Sequence, residues 1–586
     1  MKHVYRGSYM AEEKHGLQVI QERVDDIPLL IGLAQRIRLP EIINKHLNRH
    51  GNHQGISNGD LVMVWIAYIL SQGKHAKYKV EEWAMRRRHT LEHLLGRPIR
   101  DIEFSDDRLA IVLSHLSHPE AWDALQADLW QSTALVYEFD PSSVRVDSTT
   151  TYGYHHITED EVMQYGLSKD HRPDLPQLKL VAAAAEPSNY VLTCDVVPGN
   201  KADDPLYVPI IERVRKMLNR SGLLYVGDCK MAALDTRAKI VAKKDYYLTS
   251  LPLTGQTKEQ METWINAAIN GQQVVEPIIK ENKVIASAYE FTRSLSTEVD
   301  GETVEWVERV QVLQSLNLAE TQKKQLENRL DKAESILRKL TPPRGRGKRQ
   351  YREEAALQQM VEKILASHQV TGLLRVTWQR EEETVSHYIG RGRGSSNRPT
   401  QPRLRVRYVI ADLQRDRSAI EAYCRRLGWR AQVTNAPVER LSLSQGIIQY
   451  RASWSVERSF HMLKDQPLGI SPLFVHRDDQ IIGITYLLTL ALQMMTLLEA
   501  QVHRQLVKIR EKISGLYAGQ PKRATDRPTA VSLLEAISRK EVSLTQVRMG
   551  RKRVWHITPL PHLLQQVLGF LGLSSVLYTG LVENSS

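Results

Sequence analysis

Three acidic residues stand where metal-dependent phosphoryl chemistry would need them. Glu457 lies in the segment Tyr450 to Lys464, which reads as one continuous helix. At about 100° per residue, with Tyr450 at zero, Glu457 falls near about −20°, His461 about +20°, Trp454 about +40° and Lys464 about −40°. These five therefore share one face. Ala452, Val456, Ser459 and Leu463 take the opposite face, which is small or apolar and suits packing on a core. The front presents one carboxylate framed by two aromatics, a histidine and a lysine, with Arg451 and Arg458 on its flanks. A single acid among cations suits a metal ion and phosphates, although a charged helix face taken alone is most often simply solvated. Two further acids give Glu457 partners. Asp147 ends the strand-like run Val-Arg-Val-Asp-Ser-Thr-Thr, and Asp228 ends Leu-Leu-Tyr-Val-Gly-Asp. The C-terminal tips of strands are where open α/β sheets place ligands. Either aspartate alone could equally start a turn.

Together the three carboxylates can hold two divalent cations bridged by a shared aspartate, the arrangement that suits in-line phosphoryl transfer. Hard oxygen ligands favour Mg²⁺ or Mn²⁺ over zinc. The chain has no Gly-x-x-x-x-Gly-Lys-Ser/Thr loop and no His-Glu-x-x-His.

The elements that must position these acids follow from texture and composition. Over 586 residues, 79 Lys and Arg against 67 Asp and Glu give a net charge of +12, which points to an anionic partner or to a merely basic protein. Three cysteines, Cys194, Cys229 and Cys424, show no Cys-x-x-Cys spacing and match reduced, intracellular usage without a zinc site. The N-terminal Met-Lys-His-Val-Tyr-Arg leads into no apolar stretch, so no secretory signal is expected. The longest apolar run, Ile481 to Met495, is interrupted by Gly483, Thr485, Thr489 and Gln493. It is shorter than the roughly 20 residues a membrane span needs, and reads as a buried helix.

Residues 25 to 132 read as helical throughout. Asn58 is expected to cap the helix carrying Leu61 to Leu70, and Ser105-Asp106-Asp107 to open the next. The basic stretch Met85 to His89 is either an exposed helix end or a DNA contact. Strand texture begins at Val144 and recurs at Leu178–Ala185, Tyr190–Val197 and Leu223–Val226. Between the last two lies a helix with Asp203-Asp204 as cap, Pro205 in the first turn and Gly222 beyond the end. Three strands, a helix and a strand predict an α/β mixed sheet with helices packed on it. Residues 245–410 carry short β runs around a helical hairpin, whose first arm places Leu326, Leu330, Ala333, Leu337 and Leu340 in a heptad stripe. The loops Pro342–Arg349 and Gly390–Gly394 are flexible and basic. The C-terminal part, from about Gly515, reads as helical and basic.

At these residues the chain resembles the DDE transposases of bacterial insertion sequences, in the group marked by Tyr-x2-Arg-x3-Glu-x6-Lys. Tyr450, Glu457 and Lys464 match that spacing, Asp147 in Asp-Ser-Thr-Thr matches the first acid, and Asp228 matches the second. The block Gly166 to Leu175 is also similar, and the likeness covers roughly residues 140–500. One position departs: Ser453 stands where the motif has arginine.

The resemblance implies an RNase H-like mixed-sheet catalytic core, interrupted by a β-rich insertion with a helical hairpin and preceded by an all-α region. The expected domains are 1–135 (helical, DNA-end binding), 136–244 (first part of the core), 245–405 (insertion), 406–510 (second part of the core) and 511–586 (helical and basic). Asp147, Asp228 and Glu457 are implied as catalytic metal ligands for two Mg²⁺ ions, with Mn²⁺ as an alternative. Tyr450, Arg451, Trp454, Arg458, Lys464, Lys169, His171, Arg172, His476 and Arg477 are the candidate DNA contacts. His155 and His156 follow the first acid closely and are read as structural, with polarising a water as the alternative role for one of them. In relatives that form DNA hairpins an aromatic of the insertion stacks on a flipped base, for which Trp306 and Trp378 are the candidates unless they are simply buried. The implied reaction is cleavage at element ends followed by strand transfer. The partners are double-stranded DNA and a second protomer, paired through the heptad hairpin and the basic C-terminus. The expected setting is a bacterial cytoplasm, at the nucleoid, with no membrane partner. The alternative is a catalytically inactive or cleavage-only protein derived from a transposase.

Overall fold

The computed structural model describes residues 18–47, 54–389, 399–549 and 552–582. The basic loop expected at Gly390–Gly394 lies outside them, as do the side chains of Ser453 and Trp454. The architecture is mixed α/β. The chain divides into two compact units, one of Met1–Thr249, Leu295–Trp306 and Gln449–Ser586, the other of Ser250–Ser294 and Val307–Ile448.

In the first unit, strands lie in the order Tyr190–Pro198, Gln177–Glu186, Ser143–Tyr152, Leu224–Gly227, Tyr246–Ser250. Gln177–Glu186 is antiparallel to both strands that flank it, whereas Leu224–Gly227 runs parallel to both of its neighbours. The strand Gln177–Glu186 is buried at every position, as its Leu-Val-Ala-Ala-Ala-Ala texture requires of a strand covered on both faces. The helix expected before the next strand is present, but neither Asp203 nor Asp204 caps it through a side chain. A short 3₁₀ turn, Asp204–Leu206, leads into the helix Tyr207–Leu218, which ends on left-handed Asn219.

The apolar run at 481–495 is part of one helix, Asp478–Ile509, long and apolar enough to cross a membrane; 94% of its most apolar window is buried inside the protein. Its interrupting polar residues have uses. Gln493 donates to the carbonyls of Val191 and Leu192 at 3.1 and 2.9 Å, and Tyr486 stacks on Trp122 with centroids 4.1 Å apart. Gly483 permits a close approach, since a Cβ there would lie 2.1 Å from the Leu113 carbonyl oxygen.

The N-terminal region is helical from Ile27 to Tyr137 apart from its connections. The cap of the helix Asn58–Gln72 is Ser57, which forms a capping box with Asp60, rather than Asn58. The C-terminal part is not helical throughout. Strands Ser543–Met549 and Lys552–Ile557 form a hairpin that pairs with Gln18–Arg23. β-branched Thr545, Val547 and Val554 suit this extended pairing.

In the second unit, strands Trp429–Thr434, Glu302–Ser315, Lys283–Val299 and Glu276–Lys280 lie side by side in that order. The tip of the long central hairpin belongs to the first unit. It turns through Asp300 and Gly301, both at positive φ, the requirement of a two-residue type I′ turn. The heptad stripe is real but used internally. Leu326, Leu330, Ala333 and Leu337 are fully buried and share a core with Leu357, Val361, Ile364 and Leu365 of the returning helix. The ribbon Leu374–Tyr388 and Thr400–Arg415 lends Val376, Trp378, Tyr408 and Ile410 to the same core. The first four residues of the stripe therefore pack within the hairpin's own core, with Leu340 partly buried beside them.

Candidate active site

The parallel pairing Val146–Gly227 sets the next residues, Asp147 and Asp228, beside each other. Asp228 follows the end of its strand as expected, whereas Asp147 lies in mid-strand, because Ser143–Tyr152 runs on in antiparallel pairing with Gln177–Glu186. Both are half-buried. The Ser148 amide donates to Asp147 Oδ1 at 2.7 Å. Asp228 Oδ1 accepts from the Tyr207 hydroxyl at 2.6 Å and from the Lys230 amide at 2.9 Å. Burial pushes the Asp147 carboxyl up to about 6; Lys169 and the Ser148 amide oppose the shift, and the charges of Asp228 and Glu457 add to it. All three acids thus meet electrostatically at Asp147. Among the described residues no three His, Cys, Asp or Glu side chains stand close enough together to chelate one ion. The constellation is open, with Glu457 exposed on its helix.

That helix is shorter than its sequence suggests. The chain forms Leu443–Tyr450, a 3₁₀ turn at Arg451–Ser453 and then Trp454–Lys464, with Ala452 at ψ 16° outside helical geometry. The expected single face is broken there, because Tyr450 ends the preceding helix. Glu457, His461 and Lys464 keep their common face. The packing face holds as expected, with Val456, Ser459 and Leu463 buried.

Lys464 ties this helix to the aspartate strand. Its Nζ bonds Thr149 Oγ1 at 3.2 Å and pairs with Asp170. Asp170 in turn accepts from Thr150 Oγ1 at 3.2 Å. Lys169 Nζ donates to the Ser148 carbonyl at 2.6 Å and to its hydroxyl at 2.9 Å, which sets a positive charge beside Asp147.

Family comparison decides what this arrangement belongs to. The family model described as the transposase DDE domain matches residues 133–494, more than half the chain and all three acids. The chain belongs to the DDE transposase family. Residues 19–127 match a second family described only as a domain of unknown function. No curated protein matches. One similar solved structure is a cryo-EM structure of a piggyBac transposase synaptic complex with hairpin DNA, at 11% identity and a TM-score of 0.26. The match covers 51% of this chain and 60% of that one, and a likeness this slight carries no argument.

The other candidate residues of this DDE-family chain are scattered around the acids. Arg458 pairs with buried Glu499 of the long helix, which also accepts from the Ala530 amide at 2.6 Å. Arg172 stacks over Tyr152 at 5.3 Å and pairs with Asp174, while its neighbour His171 is exposed at positive φ. Arg477 pairs with Asp479, and His476 is exposed, 5.1 Å from the ring of His155. Arg451 is half-buried in the 3₁₀ turn. Trp306 is buried and donates its indole N–H to the Tyr247 hydroxyl at 2.9 Å. Trp378 is half-buried on the hairpin core and donates to Glu354 at 2.8 Å. Both tryptophans have structural work.

Sequence reasoning missed two supports. Tyr207 is one. The other is buried Arg145, two residues before Asp147, which pairs with Glu186 at 2.7 Å and donates to the Gln449 carbonyl at 2.6 Å, beside the kink that precedes the Glu457 helix. Neither had a local signal, since each acts on a residue distant in sequence.

Proposed function

We propose that the protein is a DNA transposase that binds the terminal inverted repeats of its element and carries out metal-dependent strand cleavage and strand transfer. The observation that carries this reading is the pairing of Asp147 and Asp228 on adjacent parallel strands, with the charge of Glu457 felt at Asp147, in a chain of the DDE family. The three antiparallel strands followed by two parallel ones support an RNase H-like core, interrupted by the insertion expected at 245–405; the second compact unit, Ser250–Ser294 and Val307–Ile448, extends past that range. The helical region up to Tyr137 is the proposed binder of element ends, and a second protomer would hold the other end. A bacterial cytoplasmic setting follows from the same reading.

The donor set fits a hard divalent cation. Its ligands are all carboxylate oxygens, and Asp147 carries burial plus two like charges, a stress that positive charge relieves. When bound, two Mg²⁺ or Mn²⁺ ions supply activation of a water or 3′-hydroxyl and stabilisation of the leaving oxygen. The chain's own residues do the rest. Asp147 and Asp228 offer carboxylates from neighbouring strands of the sheet, and Glu457 offers a third from its helix. Lys169 and Lys464 put cations beside the acids, where a scissile phosphate would lie. Lys464 must loosen its pair with Asp170 to meet one.

The test is cleavage of labelled DNA carrying the element's own ends by the purified full chain with Mg²⁺. The parent is expected to nick at the end and join the product to target DNA. Asp147→Ala, Asp228→Ala and Glu457→Ala are expected to bind the ends without cutting. A single variant that cuts at the parental rate removes that residue from the site. The second reading, an inactive or cleavage-only derivative, is motivated by Ser453 at the motif's arginine position and by the engagement of Arg458 with Glu499. Joined product excludes it.

A further inference from the structure

Asp228 is held unevenly. Both of its side-chain hydrogen bonds fall on one oxygen: the Tyr207 hydroxyl and the Lys230 amide converge on Oδ1 at 2.6 and 2.9 Å. Oδ2 accepts no hydrogen bond among the described residues. A hydroxyl-to-carboxylate bond of 2.6 Å is charge-assisted and directional, and is stronger than one between neutral groups. Here it comes from a fully buried ring, so the donor cannot swing away.

The approach of Tyr207 is itself fixed from the neighbouring strand. Lys179, buried on Gln177–Glu186, donates to the Lys201 carbonyl and to Asp203 Oδ1, both at 2.5 Å. Asp203 immediately precedes the 3₁₀ turn that opens the Tyr207 helix, and its carbonyl accepts from the Leu206 amide at 3.0 Å. The Thr249 hydroxyl, donating to the Asp228 carbonyl at 2.6 Å, holds the backbone of the same residue.

We infer that Tyr207 is a positioning residue for Asp228, turning the carboxylate so that Oδ2 is the oxygen presented to a divalent cation. This rests on the proposed metal-dependent function. Groups that orient a ligating carboxylate this way are worth about ten- to a hundredfold in metal affinity. Tyr207 touches neither substrate nor cation in this scheme and acts through Asp228 alone.

The test is a Mn²⁺ titration of the full chain without DNA, read as free Mn²⁺ by electron paramagnetic resonance, on the parent, Tyr207→Phe and Asp228→Ala. Phenylalanine keeps the buried ring, and the melting temperature in EDTA checks the fold. Tyr207→Phe is expected to bind Mn²⁺ about tenfold more weakly, and Asp228→Ala to lose the site. Parental affinity in Tyr207→Phe, with Asp228→Ala impaired, overturns the inference and leaves the function standing. Parental affinity in Asp228→Ala overturns both. In cleavage assays Tyr207→Phe should shift the half-saturating Mg²⁺ concentration upward about tenfold with little change in the plateau rate. A lowered plateau at an unchanged half-saturating concentration is the signature of a merely damaged fold and also overturns the inference.

Discussion

Asp147 and Asp228 extend from neighbouring parallel strands whose register is fixed at Val146–Gly227, and backbone amides and a buried tyrosine fasten their oxygens. Glu457 approaches from a helix that begins two residues beyond a non-helical alanine and is exposed there. Its helix is tied to the aspartate strand through Lys464 and Thr149, near the far end. One half of the site is thus built into a sheet, and the other half is carried on an element with a break at one end and a polar tether at the other. On the proposed function the framed aspartates would receive a cation in place, whereas Glu457 would approach it on its helix. Buried Arg145 pairs with Glu186 and donates to the Gln449 carbonyl beside the kink.

The comparison can be broken most forcefully by removing each half in turn. Asp147→Ala and Asp228→Ala should lose cleavage by about a thousandfold or more and lose Mn²⁺ binding with it. Glu457→Ala should lose cleavage to the same extent yet bind Mn²⁺ within about tenfold of the parent, because the strand pair remains. Equal loss of Mn²⁺ in all three would show that the strand pair is no site by itself. A smaller effect is expected from Lys464→Met, which unties the helix from Thr149. Its cleavage rate should fall about ten- to a hundredfold, as misplacing a reacting group does, with DNA-end binding measured alongside.

Acidity sharpens the same contrast. Because Asp147 holds its proton up to about pH 6, Mn²⁺ must compete with that proton at lower pH, and affinity should fall about tenfold per pH unit below about 6. Glu457→Ala removes one of the charges that raise Asp147, so the break in that curve should move to lower pH. The smallest effect is on stability without metal. The Asp147 carboxyl is raised above its ordinary value of 3.8. Its contribution to stability is therefore full below that value and lost as pH rises through about 6. Asp147→Asn should stabilise the metal-free chain at pH 8 by on the order of 1 kcal/mol, once solvent screening is allowed for, and leave it unchanged at pH 4. Denaturant melts at the two pH values check this.

Much of the sheet half was legible in the sequence. The alternation of Val144-Arg145-Val146 and the apolar run Leu224–Val226 mark strands, and an aspartate follows each within two residues, so strand and acid could be read from neighbouring residues, although the continuation of the first strand past Asp147 to Tyr152 could not. The long buried helix and the stripe from Leu326 to Leu337 were legible for the same reason, because their spacing is local. The helix half was less so. Nothing in Arg-Ala-Ser at 451–453 breaks a helix by itself, and the kink lies beside carbonyls held by Arg145, some three hundred residues earlier in the chain. The bond from Tyr207 to Asp228 and the pair Lys464–Asp170 likewise depend on which elements the fold brings together. The hairpin at Ser543–Ile557 was hidden by basic residues that suit helix and strand alike, and its partner strand is Gln18–Arg23, at the other end of the chain.

Anomalous diffraction from crystals of the full chain soaked in Mn²⁺ reports directly on metal binding at the two aspartates. A Mn²⁺ peak within about 2.0–2.4 Å of oxygens of both Asp147 and Asp228 is expected. The Asp228 contact should be made through Oδ2, and Glu457 should be drawn toward the ion. Saturating Mn²⁺ that leaves both aspartates without a peak, or a peak that touches neither, would contradict the account.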